Sequence, residues 1–225
     1  MKYGVLILIT IILASCNSKD EASDNSAKQE NSSLPYMGHY DEVLKEVDGE
    51  DQVAKEYNPL RNFTLTDQYG EQFQSKDLRG KMMVVDFFFT RCPGICPKMT
   101  NQMKRAQTVT EDLRNDVQFV SVSIDDQDSS SVLRAYIEKF GINDENWSFV
   151  HGNEKYIRGV GYDYKVNVFE SDVPADSGFI HSEHFLLLDG LGYLRGMYNG
   201  TETEEVDKLI EDIRTLHKEK EQWQK

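Results

Sequence analysis

The 225-residue sequence predicts an α/β fold, a central mixed sheet flanked by helices with an N-terminal β-hairpin, and three observations carry that prediction. Residues 82–89, Met-Met-Val-Val-Asp-Phe-Phe-Phe, are a short β-branched and aromatic run of the kind buried on both faces of a mostly parallel sheet. Strand-like and helical periodicities then alternate as far as residue 140, which implies right-handed parallel crossovers. Further on, two apolar runs around a Gly-containing turn are followed by an amphipathic helix.

Taken in order, the chain begins with Met1-Lys2-Tyr3, a short basic stretch, and an apolar run from Val5 to Leu13 that is too short to span a bilayer comfortably. Residues 1–15 therefore read as a signal peptide. Its end, Leu13-Ala14-Ser15-Cys16, resembles the bacterial lipobox, which implies cleavage before Cys16 and a lipidated cysteine at the new N-terminus. Residues 16–57 are rich in Ser, Asn, Asp, Glu and Lys and carry about half of the net charge of -14. They read as a flexible acidic tether in which Leu34-Pro35-Tyr36 and Val43, Leu44 and Val47 are the exceptions. Such acidity repels phosphate and excludes a nucleic-acid binder.

The folded domain is expected over residues 58–225. Phe63–Phe73 alternates apolar and polar residues around Gly70 and predicts the β-hairpin, after which residues 82–89 form the central strand. Met99, Met103, Ala106 and Leu113 recur at helical spacing after Pro97. Val117–Ile124 is a second strand, and Ser129 or Ser130 can cap a helix that stops at Gly141. Trp147–Val150 predicts a brief strand and Lys155–Tyr162 a short helix. A loop with Asp172, Pro174, Asp176 and Gly178 leads to the hairpin of Phe185–Asp189 and Tyr193–Tyr198. Thr201-Glu202-Thr203-Glu204 is a capping-box pattern before the helix that bears Val206, Leu209, Ile210 and Ile213. The sum is a thioredoxin-like sandwich.

The chemistry concentrates in Phe89-Thr90-Arg91-Cys92-Pro93-Gly94-Ile95-Cys96-Pro97, at a strand-to-helix turn. Unpaired N–H groups at a helix N-terminus favour thiolate over thiol, and cysteines four apart in a helical turn share a face. The pair can be a dithiol, a disulfide or two-thirds of a metal site. With Cys16 lipidated, Cys92 and Cys96 are the remaining thiols, in an extracytoplasmic compartment where disulfides persist.

A strand ending in Phe-Thr-x-Cys-Pro-x-Ile-Cys-Pro, followed much later by a His before an apolar strand and a Gly-containing hairpin, resembles the Sco/SenC family over roughly residues 63–213. The resemblance implies that Cys92, Cys96 and His181 bind copper and that Asp125 is an accompanying acidic position that orients or charge-balances the site. It implies a copper chaperone or redox partner, lipid-anchored to a bacterial membrane. Its expected partners are the copper-site subunit of cytochrome c oxidase, other copper chaperones and thiol reductants. Thiolates suit Cu(I), and an added imidazole also suits Cu(II). Enzymatic activity, if any, is thiol-disulfide reduction.

The competing reading is a metal-free thiol-disulfide oxidoreductase. Asp86, six residues before Cys92, stands where thioredoxin-like proteins place a buried carboxylate that serves thiol chemistry, while Glu183 stands where such oxidoreductases carry a cis-proline. His184 is three residues from His181 and, by strand alternation, faces away from it. Met99 and Met103 read as core, and His39, His151 and His217 as surface or partly buried residues. Asp126 and Asp128 read as a solvated turn, since they lack EF-hand spacing.

Overall fold

The computed structural model describes residues 33–47, 49–164 and 182–223. The expected signal peptide, Cys16, residues 17–32 of the tether, the loop with Asp172 and Asp176, and His181 lie outside the described residues.

A separate two-stranded sheet comes first, β1 (Tyr40–Val47) paired antiparallel with β2 (Glu50–Tyr57). The main sheet is built from β3 (Thr64–Asp67), β4 (Gln72–Gln74), β5 (Met82–Phe88), β6 (Val117–Ser123), β7 (Trp147–His151), β8 (His184–Leu188) and β9 (Leu194–Asn199). Its strand order is β4-β3-β7-β6-β5-β8-β9. Strands β5, β6 and β7 run parallel, and β8 pairs antiparallel with β5, so the sheet is mixed as expected. Both faces of β5 and β6 are buried, so β5 is apolar apart from Asp86, while β6 carries Gln118, Ser121 and Ser123 as buried polar residues among its valines and Phe119.

Among the described residues, four helices complete the domain: α1 (Cys96–Val109), α2 (Ser130–Phe140), α3 (Glu154–Asp163) and α4 (Thr203–Lys218). Phe88 packs against Tyr136 of α2, whereas Phe87 meets Tyr164 just beyond α3. Successive strand residues face opposite ways, so α2 and the end of α3 cover opposite faces of the sheet. Helix α1 lies beside α2, joined by the Thr100–Tyr136 hydroxyl pair at 2.6 Å and by Lys104 Nζ donating to the Phe140 carbonyl at 2.8 Å. Gly141 ends α2 with φ at 56°, a left-handed conformation that glycine adopts without a Cβ penalty.

Three local expectations change. Residues 34–57 are not a loose tether. Arg195, buried between Asp189 (3.0 Å) and Glu219 (2.7 Å), donates to the carbonyls of Leu34 and Pro35, and Glu219 accepts the Leu34 N–H at 2.9 Å. The Tyr36 ring lies 4.3 Å from the guanidinium, and Met37 bridges Leu194. A buried guanidinium needs acceptors, and this segment supplies carbonyls that two carboxylates alone leave short. Beyond it, β1–β2 exposes both faces, with Leu44 71% and Val53 67% accessible, so Leu44 does not dock. The capping box also fails to form: the Thr201 hydroxyl and N–H both go to Asn199 Oδ1, and no side chain caps α4. Leu113 falls in a short 3-10 turn after α1 has ended.

Candidate functional site

Strand β5 ends at Phe88, the Cys92 N–H returns to the Phe89 carbonyl at 3.3 Å, and Cys96 is the first residue of α1 with Pro97 behind it. Pro97 fits there because its missing N–H is one the first helical turn leaves unused. Both cysteines are thiols, with Cys92 7% and Cys96 1% accessible. They do not share a helical face, as the spacing suggested, because Cys92 sits in the loop ahead of the helix. The loop brings them together instead, and their side chains hydrogen-bond to each other.

The helix N-terminus does not make Cys96 a ready thiolate. Burial pushes its thiol well above the ordinary range, opposed by a hydrogen bond from the Phe89 backbone and reinforced by Cys92 and by the charge of Asp86. Desolvation outweighs the dipole at this depth. A cation brought to the sulfur is therefore needed to stabilise negative charge on Cys96.

Asp86 lies in β5 opposite Ser121 of β6, on the strand face it shares with Phe88, and is 2% accessible. Burial raises its carboxyl to about 7, with a hydrogen bond from Ser121 pulling the other way. Its Oδ1 has no hydrogen-bond partner among the described residues. The carboxyl can thus be neutral or charged near physiological pH, beside a thiol whose own proton is held tightly.

Asp125 follows β6 and is fully buried, yet its Oδ2 accepts from Nε (3.0 Å) and Nη2 (2.5 Å) of Arg91, an exposed side chain one residue before Cys92. Its Oδ1 accepts the Gln127 N–H at 2.9 Å. Asp128 is also buried, contrary to the solvated turn expected of it, whereas Asp126 is exposed. Both oxygens of Asp128 bind Thr90, from its N–H at 2.9 Å and its hydroxyl at 2.5 Å, and the Ser123 hydroxyl donates at 2.6 Å. Sequence reasoning missed this contact, and missed Arg91. No spacing rule separates Asp128 from Asp126, because which of them turns inward depends on where the β5 loop lies.

His184 opens β8, and its Nδ1 lies 3.2 Å from the Ser182 hydroxyl. Met99 and Met103 are buried core on α1. His39 is exposed, His151 lies 3.0 Å from Ser130 Oγ, and His217 lies 3.6 Å from Asp116. No peptide bond among the described residues is cis. Likewise, among the described residues no three His, Cys, Asp or Glu side chains converge as a metal site. The donor set there is two adjacent sulfurs, which fits a soft monovalent metal and calls for one further ligand.

The SCO1/SenC family model matches residues 51–218. The SCO1 protein homolog of Bacillus subtilis is 29% identical over 157 residues, covering 68% of this chain and 80% of that protein. The crystal structure of a SCO1/SenC family lipoprotein from Bacillus anthracis superposes with a TM-score of 0.65 at 33% identity, covering 71% of this chain and 95% of the other. Bradyrhizobium japonicum ScoI, solved with copper bound, shares the fold with a TM-score of 0.58 at 22% identity, covering 70% of this chain and 98% of the other. With a strand-loop-helix dithiol on a mixed sheet and a family match over most of its length, the chain belongs to the SCO1/SenC family.

Proposed function

We propose that this protein binds copper through Cys92, Cys96 and His181. It then delivers the metal to the dinuclear copper centre of cytochrome c oxidase or prepares the thiols of that centre. The observation that carries the reading is the pair of adjacent, nearly buried thiols at the C-terminal edge of the parallel strands. Cu(I) loading replaces the Cys96 proton, so the metal supplies the positive charge that burial otherwise denies the sulfur. His181 adds the imidazole that Cu(II) prefers. Copper-bound proteins of the same fold, and BsSco, a 27% identical member of the Sco family of cytochrome c oxidase assembly proteins, support this assignment. Lipidation at Cys16 holds the protein outside the cytoplasm at the membrane surface where its partner resides.

Asp86 favours a second activity at the same cysteines. A buried carboxyl raised to about 7 in the strand that leads to the cysteines can relay a proton to or from the solvent as the pair cycles between dithiol and disulfide. The decisive experiment is metal analysis of the reduced protein, followed by transfer to a peptide copying an oxidase copper site. Wild type is expected to bind one copper and pass it on. His181→Ala should weaken Cu(II) binding by about two orders of magnitude and remove the sulfur-to-copper charge-transfer band, yet still form the Cys92–Cys96 disulfide. Wild-type Cu(II) affinity and spectrum in His181→Ala would refute the three-ligand site. Disulfide reduction without metal binding would make the protein an oxidoreductase.

A further inference from the structure

The two residues that lead into Cys92 are each held by a different buried carboxylate from the loop after β6. Arg91 is bound by Asp125, and Thr90 by Asp128. The two grips differ in kind. The Arg91 side chain is 56% accessible, so its pair is open to water and screened. Asp128 is 1% accessible and holds Thr90 through backbone and hydroxyl at once, while its third bond fastens it to Ser123 at the end of β6. Hydrogen bonds to a buried carboxylate are the strong ones, and removing one partner leaves the other unsatisfied. Cys96 needs no such device, since it is fixed in the first turn of α1.

We propose that Asp128 is a positioning residue that fixes Cys92 relative to Cys96 by clamping Thr90 to the end of β6. The clamp holds the near edge of the loop while residues 93–95 stay free to adjust between thiol, disulfide and metal-bound arrangements. This inference rests on reading Cys92 and Cys96 as the working dithiol, but its test needs no copper.

The test uses the metal-free, reduced full chain and three variants. Asp128→Asn keeps the shape but turns an amide N–H toward one of the donors. Thr90→Val removes only the hydroxyl bond, and Thr90→Ser restores it. Amide hydrogen exchange at Thr90 and alkylation of Cys92 by iodoacetamide, both read by peptide mass, are each expected to accelerate about tenfold or more in Asp128→Asn and Thr90→Val. Both should remain at wild-type rates in Thr90→Ser, and exchange in β5 and β6 should stay slow throughout. Wild-type rates in Thr90→Val would overturn the proposal, as would acceleration spread equally over β5 and β6. Should Asp128→Asn fail to fold, Thr90→Val and Thr90→Ser decide the matter alone. A wild-type chain that bound no copper would sink the proposed function and leave these rates to judge the clamp separately.

Discussion

Asp86 gives the protein a pH-dependent stability that one substitution should erase. Its carboxyl is raised from the ordinary 3.8 to about 7, chiefly by burial, with one oxygen lacking a partner among the described residues. Between those two values the folded protein holds the proton and the unfolded chain does not, so stability falls as pH rises through this window. At about 1.4 kcal/mol for each tenfold change in proton affinity, the loss amounts to about 4 kcal/mol, complete above the folded pKa and absent below the unfolded one. Asp86→Asn cannot ionise, so it should match wild type at pH 4 and exceed its stability by up to about 4 kcal/mol at pH 8. The assay is urea unfolding across pH 4–8 in a Cys92→Ser, Cys96→Ser background, where neither thiol titration nor metal contributes. Parallel stability curves with and without the Asp86→Asn substitution would refute the reasoning, because they would mean the carboxyl titrates alike in the folded and unfolded states. In the protein with its cysteines, Asp86→Asn should slow thiol-disulfide exchange while leaving copper stoichiometry unchanged.

Arg195→Ala leaves Asp189 and Glu219 as buried carboxylates without their cation and should cost about 3–5 kcal/mol in denaturant unfolding. It should also speed amide exchange at Leu34 and Met37, which this cluster and β9 hold. Leu44→Lys combined with Val53→Lys should change stability by no more than about 0.5 kcal/mol, since both side chains of this cross-strand pair are mostly exposed. A larger loss by thermal melting would show that β1–β2 is supported by the domain after all. Cys16→Ser should leave the protein unprocessed or move it from the membrane to the soluble fraction on cell fractionation.

The sheet was legible in the sequence alone, because strands buried on both faces are rich in β-branched and aromatic residues, and residues 82–88 and 117–123 are so despite Asp86, Gln118, Ser121 and Ser123. Equally legible were a dithiol at the end of the central strand, through a Cys-x-x-x-Cys run pinned by Pro97 at a helix start, and the place of Asp86 within that strand. What those groups experience is set only when the chain packs. The Cys96 thiol is raised rather than lowered because burial in the packed sheet and helices exceeds the local helix field, and burial is a property of the whole fold. Asp128 is a clamp and Asp126 a surface residue for the same reason, although both sit in one acidic turn. Residues 34–37 read as tether because their own composition cannot bury a core. They are ordered by Arg195, a residue about 160 positions away, whose charge had to find acceptors once β9 carried it inside.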